Sequence, residues 1–124
     1  MKTILTVDDS PSIRQMLAYV LNNNGYRVIE AGDGEEGLSL AKANQADLIL
    51  TDQNMPKMDG IAFIKAVRGL PGYGRIPIMM LTTESSPVLK QQGRDAGATG
   101  WMVKPFDPEK LLEMLNKVLA QTRA

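Results

Sequence analysis

Five short apolar runs recur along this chain, each followed by a turn and a stretch with helical periodicity, and that alternation limits the fold more than any other feature. The runs predict strands at Thr3–Val7, Arg27–Glu30, Asp47–Thr51, Ile76–Leu81 and Gly100–Val103. Short strands rich in Ile, Val and Leu that alternate with helices point to a parallel sheet covered on both faces. With short connections throughout, the fold class is α/β, a doubly wound sandwich. In such sheets ligands bind beyond the carboxyl ends of the strands, so the residues just after each strand are the ones to inspect.

The first helix has the clearest pattern. Ile13, Met16, Leu17, Val20 and Leu21 form one apolar stripe, Ser10 can cap it, Pro11 suits its first position, and Gly25 ends it. The last helix repeats the device with Asp107, Pro108 and the inward set Leu111, Leu115 and Val118. A helix after Ser86-Pro87 opens the same way. It has few apolar residues and an internal Gly93, so it is expected to be the least firmly held. Residues 69–74, Gly-Leu-Pro-Gly-Tyr-Gly, predict a surface loop. With no linker or low-complexity tract, the 124 residues are expected to form one domain, 1–124.

Composition removes most chemistries. The chain has no histidine and no cysteine, which excludes Ser-His-Asp hydrolysis, imidazole acid–base chemistry, thiol catalysis and His or Cys metal sites. A formal net charge of zero argues against a nucleic-acid-binding module. The apolar stretch at the N-terminus is too short for a signal-peptide core or a membrane span, so no membrane partner and a cytoplasmic location are expected. What remains is carboxylate, hydroxyl, lysine and backbone chemistry.

The strand ends supply those groups. Asp8 and Asp9 follow the first strand, Asp52 the third, Thr82, Thr83 and Glu84 the fourth, and Lys104 and Pro105 the fifth. Two carboxylates about 4 Å apart repel by roughly 4 kcal/mol at an effective dielectric of about 20, so three together call for a cation. Oxygen-only ligands select a hard ion, Mg²⁺ or Mn²⁺. Mg²⁺ usually keeps waters and accepts a phosphate oxygen, which prepares the site for a phosphoryl donor. A carboxylate can then act as the nucleophile, with Lys104 and Thr82 holding the other phosphoryl oxygens.

Each residue taken singly has a plainer explanation. Asp8-Asp9 can help to cap a helix, Asp52 can start a loop, Lys104 can be a solvated lysine, and Thr82 can be an ordinary strand residue. Their joint arrival at strand ends, in this order, favours the site. Residues 32–37 match the dinucleotide-binding pattern G-x-G-x-x-G, and Asp52 lies near the spacing of a ribose-binding acid. The match follows the second strand rather than the first, however. It also places Asp33, Glu35 and Glu36 where a pyrophosphate would sit, so it is read as an acidic turn and helix start.

The residues quoted resemble the response-regulator receiver family over nearly the whole chain, from Thr3 to about Ala120. The matching parts are Val7-Asp8-Asp9-Ser10, Asp52-Gln53-Asn54-Met55-Pro56 with Met58-Asp59-Gly60, Leu81-Thr82-Thr83-Glu84, and Gly97-Ala98 leading to Lys104-Pro105-Phe106. The resemblance implies a flavodoxin-like, five-stranded parallel sheet in the order 2-1-3-4-5 with five helices. It implies that Asp52 is the phosphoacceptor. It further implies that Mg²⁺ is bound by Asp9 directly, by Asp8 through water or by shaping the site, by Asp52, and by the backbone carbonyl of Asn54. Thr82 and Lys104 would contact the phosphoryl group, Thr82 and Trp101 would form the switch, and Lys104-Pro105 would be a cis peptide. Trp101 departs from the family, which usually has Tyr or Phe there.

Asn54 and Glu84 beside the site make the single-domain chemotaxis (CheY-like) subgroup the nearest resemblance, with no output domain. The implied function is a two-component phosphoacceptor. A histidine kinase would be the donor, an output protein such as a flagellar motor switch component the partner, and a phosphatase a further partner. The protein would act as a monomer that catalyses only its own phosphorylation and dephosphorylation. The alternatives are a phosphate sink, a stand-alone regulator of another pathway, and an aspartate-nucleophile phosphatase, whose D-x-D-x-T signature Asp8-Asp9-Ser10-Pro11 does not fit.

Overall fold

The computed structural model of the protein describes residues 1–83, 86–104 and 107–121. Its elements run β1 (Thr3–Val7), α1 (Pro11–Asn22), β2 (Arg27–Ala31), α2 (Gly34–Ala43), β3 (Leu48–Asp52), α3 (Gly60–Arg68), β4 (Ile78–Thr82), α4 (Pro87–Ala96), β5 (Gly100–Val103) and α5 (Pro108–Gln121). The five strands form one parallel sheet in the order β2-β1-β3-β4-β5. This is the doubly wound, flavodoxin-like fold that the resemblance implied.

Three strands differ in extent from the sequence reading: β2 runs on to Ala31, β3 spans Leu48–Asp52 and β4 spans Ile78–Thr82. Asp47 lies just before β3, where its N–H donates to the Thr3 carbonyl at 2.8 Å and its carboxylate accepts the Thr3 N–H at 2.8 Å. Pro77 has no N–H to donate to a ladder, and β4 starts at Ile78. At their other ends β3 and β4 run one residue further than expected, so Asp52 and Thr82 are the last residues of their strands rather than the first residues beyond them.

Successive side chains along a strand point to opposite faces, and the core divides accordingly. Leu5, Val7, Ile49, Ile78 and Met80 pack with Phe63, Ile64 and Val67 of α3 and Leu89 of α4. Ile4, Leu48, Leu50, Met79 and Leu81 pack on the other face with Leu17 and Leu21 of α1 and Leu111, Leu115 and Leu119 of α5. Helices α1 and α5 therefore cover one face and α2, α3 and α4 the other. Met16, expected in the α1 stripe, is exposed.

The helix starts follow the sequence. Ser10 Oγ accepts the Ile13 N–H, Ser86 Oγ accepts the Leu89 N–H at 3.1 Å, and Asp107 Oδ1 accepts the Glu109 N–H at 2.9 Å. The acidic Gly-rich turn is a capping box. Asp33 Oδ1 accepts the Glu36 N–H at 2.8 Å, and Glu36 Oε1 accepts the Gly32 N–H at 2.7 Å. The G-x-G-x-x-G match is thus accounted for by helix initiation.

The loop at residues 69–74 is only partly a surface loop, because Tyr73 is buried within it. Its hydroxyl sits against the carbonyls of Ala41, at 2.7 Å, and Asn44, and accepts the Ala46 N–H at 3.1 Å. Arg68, at the end of α3, donates to the carbonyls of Tyr73 and Ile76, and twice to that of Gly97, which closes α4. These bonds tie the amino-terminal edge of the sheet together. Tyr73→Phe removes the hydroxyl while keeping the ring, and leaves the buried Ala46 N–H without this acceptor. It should lower unfolding stability by about 1–3 kcal/mol. Denaturant titration of both proteins checks this.

Candidate functional site

The register of the sheet assembles the candidate site. Val7 pairs with Thr51, and Asp52 pairs with Leu81, so Asp8, just beyond β1, and Asp52 and Thr82, which end β3 and β4, lie within one residue of one another in register. The Lys104 N–H donates to the Thr82 carbonyl at 2.7 Å and extends the β4–β5 pairing to the lysine. The residues picked out at strand ends therefore converge at one edge of the sheet.

One carboxylate oxygen each from Asp8, Asp9 and Asp52 lies within 4.8 Å of the others. Asp8 and Asp52 are buried, and Asp9 is exposed. Lys104 Nζ bridges the two buried acids, at 3.2 Å from Asp8 Oδ2 and 3.1 Å from Asp52 Oδ1. Asp8 Oδ1 accepts the Ser10 N–H at 2.9 Å, so the helix-capping reading of that residue is also partly true. Arg14 Nη1 donates to the Asp8 carbonyl at 2.5 Å and pins the β1–α1 turn from the other side.

Burial pushes the Asp52 carboxyl above the usual carboxylate range, and the Asp8 charge adds to this. The Lys104 hydrogen bond and charge, and a backbone hydrogen bond from Asn54, oppose it without cancelling it. With all three acids ionised, a single ammonium leaves the cluster two negative charges short of neutrality. An all-oxygen donor set of that charge fits a hard divalent cation. Asp8, Asp9 and Asp52 thus suit Mg²⁺.

Thr82 is buried at the end of β4. Trp101, on β5, is half-buried against the α3–α4 side of the core. Two cations of α4 stand over its indole, with Lys90 Nζ 5.0 Å and Arg94 Cζ 5.4 Å from the ring centroid. Among the described residues neither cation is paired with a carboxylate. Glu84, Pro105 and Phe106, and with them the Lys104-Pro105 cis peptide, lie outside the described residues.

Sequence reasoning missed Arg14, Gln53, Lys90 and Arg94. The i, i+4 spacing of the last two, four residues apart on a helix beside β5, was the available signal.

The raised Asp52 pKa has a consequence for stability. A folded-state value above the unfolded one means that the group favours folding when protonated, at low pH. The contribution is lost as pH rises through the folded-state value. In chelator at neutral pH, Asp52→Asn should therefore melt at a higher temperature than the parent. The gain should shrink as pH falls through the carboxylate range. Thermal melts across pH check both points.

Residues 4–116 match the family described as response regulator receiver domain. The chain is 40% identical over 121 residues to the alkaline phosphatase synthesis transcriptional regulatory protein PhoP of Bacillus subtilis, spanning 98% of this chain and 50% of that protein. It is 38% identical to chemotaxis protein CheY1 of Helicobacter pylori, covering 94% of this chain and 95% of that one. Among solved structures, chemotaxis protein CheY4 of Vibrio cholerae superposes with a TM-score of 0.93 at 52% identity, over 95% of this chain and 98% of the other. The receiver domain of sensor histidine kinase PA1611 from Pseudomonas aeruginosa is 28% identical with a TM-score of 0.88, over 96% of this chain and 98% of the other. It was solved with a magnesium ion coordinated in its active site cleft. The chain spans about half the length, or less, of several of the curated relatives it matches. Fold, strand-end acids and matched residues agree, and the chain belongs to the response-regulator receiver family of two-component systems.

Proposed function

We propose that Asp52 accepts a phosphoryl group from a histidine kinase and that the modified domain binds an output protein. The observation that carries this reading is the Lys104 ammonium set between the buried Asp8 and Asp52, inside a cluster of three carboxylates. Mg²⁺ would be held directly by Asp9, by Asp52 and the Asn54 carbonyl, and by Asp8 through water or by shaping the site. When bound it neutralises charge on the carboxylates and on the incoming phosphoryl group.

The residues of the chain do the rest. An Asp52 oxygen attacks phosphorus, an O–P bond forms, and the N–P bond of the donor phosphohistidine breaks. The electron pair stays on the imidazole, which takes a proton. Lys104 then pairs with a phosphoryl oxygen in place of the Asp52 oxygen it now contacts, and the Thr82 hydroxyl donates to another. Burial of Asp52 and Thr82 excludes water from the carboxyl side and favours one stoichiometric transfer over steady hydrolysis of phosphate esters.

Treatment with acetyl phosphate and Mg²⁺ should add one HPO₃ to the protein and none to Asp52→Asn, as read by intact mass. An undiminished adduct in the variant refutes the assignment.

Output by reversible binding to a separate protein in a chemotaxis-type pathway is supported by the similarity, nearly end to end, to CheY1 and CheY4. A motor-switch component is the partner this suggests, and the cytoplasm the location. Among the described residues no helix is long and apolar enough to cross a membrane. The switch would run through Thr82 to Trp101 and the surface made by α4, β5 and α5. The half-buried indole between α4 and the core supports this, because a shift inward must reposition Lys90 and Arg94 as well.

Beryllofluoride with Mg²⁺ should change Trp101 emission or its acrylamide quenching. The response should be lost in Asp52→Asn and reduced in Thr82→Ala. Unchanged quenching with beryllofluoride shown to be bound makes Trp101 a static packing residue.

A further inference from the structure

Gln53 follows the candidate phosphoacceptor and is buried, yet nothing in the reading above uses its side chain. Its carbonyl and its carboxamide are directed at the start of α3. The Gln53 N–H continues the sheet to the Leu81 carbonyl at 3.1 Å, and its carbonyl accepts the Gly60 N–H at 3.0 Å. Its side-chain Oε1 accepts the Ile61 N–H at 3.0 Å, and its Nε2 reaches Asp59 Oδ2 at 3.4 Å. Asp59 Oδ1 in turn caps the helix on the Ala62 N–H at 2.9 Å.

A helix leaves its first N–H groups without partners inside the helix. In α3 the first two go to Gln53 and the third to Asp59, so Gln53 shares the cap with the residue placed to provide it. The fit is close. A Cβ on Gly60 would lie 2.5 Å from the Asp52 carbonyl oxygen and 2.9 Å from Gln53 Oε1, so the helix start presses on the backbone of Asp52 itself.

Between these anchors runs the loop that carries Asn54, whose backbone N–H hydrogen-bonds the Asp52 carboxylate. The loop holds strained backbone. Lys57 has φ of 69° and the Met58 N–H returns to the Pro56 carbonyl at 2.7 Å, a three-residue turn of the rare positive-φ kind. Such strain persists only where the surroundings over-determine it.

We propose that Gln53 is a positioning residue for phosphoryl acceptance, its carboxamide fastening α3 to the end of β3 and so holding the Asn54 loop against the acid cluster. This rests on the reading of Asp52 as acceptor and of the Asn54 carbonyl as a metal ligand. The substitution that isolates the effect is Gln53→Met, which keeps length and fills the same space without the hydrogen bonds. Gln53→Glu restores an acceptor for Ile61. Tyr73→Phe, at the opposite edge of the sheet, serves as the control for general destabilisation.

Three quantities are measured on each protein: Mg²⁺ affinity by calorimetry, phosphorylation rate with acetyl phosphate at saturating Mg²⁺, and amide hydrogen exchange at Asn54 and Ile61. Gln53→Met should bind Mg²⁺ roughly 10-fold more weakly, the scale seen when partners that orient metal ligands are removed. It should also be phosphorylated more slowly and exchange both amides faster. Gln53→Glu should recover protection at Ile61. Tyr73→Phe should keep parental Mg²⁺ affinity and rate. The proposal is overturned if Gln53→Met melts earlier but matches Tyr73→Phe in Mg²⁺ affinity and rate, which makes Gln53 a helix cap alone. Failure of the parent protein to be modified at Asp52 overturns the acceptor assignment instead, and the hydrogen-exchange and metal-binding results still report on the clamp.

Discussion

Lys104 reaching two buried carboxylates, at 3.2 Å from Asp8 and 3.1 Å from Asp52, is the contact around which the site is organised. Two buried acids side by side repel strongly where water cannot screen them, and one ammonium offsets only part of that. Burial, with the Asp8 charge adding to it, keeps the Asp52 pKa raised, and the charge left over makes a cluster that a divalent cation completes. The same imbalance gives the arrangement its chemical capacity. In the proposed reaction a phosphoryl group would bring negative oxygens to a site that already holds a lysine, and the contact from Lys104 to Asp52 is one that such a modification would rearrange. A salt bridge that is shared and only partly compensating is well suited to a switch, because a second charge can capture it.

The sheet makes that contact available. Five parallel strands end on one side, and pairing Val7 with Thr51 and Thr82 with Val103 leaves no freedom in which residues meet there. The far side is held by different means. Arg68 and the Tyr73 hydroxyl satisfy carbonyls from several loops, and the carboxyl end of α4 is bound into this network through Gly97. Helix α4 is thus secured at its C-terminal end, while along its length it contributes only Leu89, Gly93 and Ala96 to the interior. Its cations rest on Trp101. Pinned at one end, α4 is thinly packed elsewhere, in keeping with its Gly93 and sparse apolar residues.

Much of the site was legible in the sequence because its residues lie at strand ends, where the short apolar runs break off. Asp8, Asp9, Asp52, Thr82 and Lys104 were found that way, and the caps at Ser10, Ser86 and Asp107 by their neighbours. Less legible were residues whose roles depend on where other elements pass. Tyr73 reads as part of a Gly- and Pro-rich loop, Arg68 as an exposed helix end, and Gln53 as a spacer next to an acid. Each is a polar side chain that satisfies backbone groups distant in sequence, and no local pattern announces such partners.

The sequence by itself determined the order of elements, the alternation that splits the core into two faces, the helix starts, and the chemical inventory of carboxylate, hydroxyl and lysine without imidazole or thiol. These follow from local periodicity and residue type, which act over a few residues. Only the tertiary structure decided that Lys104 would bridge Asp8 to Asp52 across 96 and 52 positions of chain, that Gly60 would abut the Asp52 carbonyl, and that Lys90 and Arg94 would share the face of Trp101. Those contacts depend on strand register and helix docking, which are settled by packing of the whole sheet between its two helical layers.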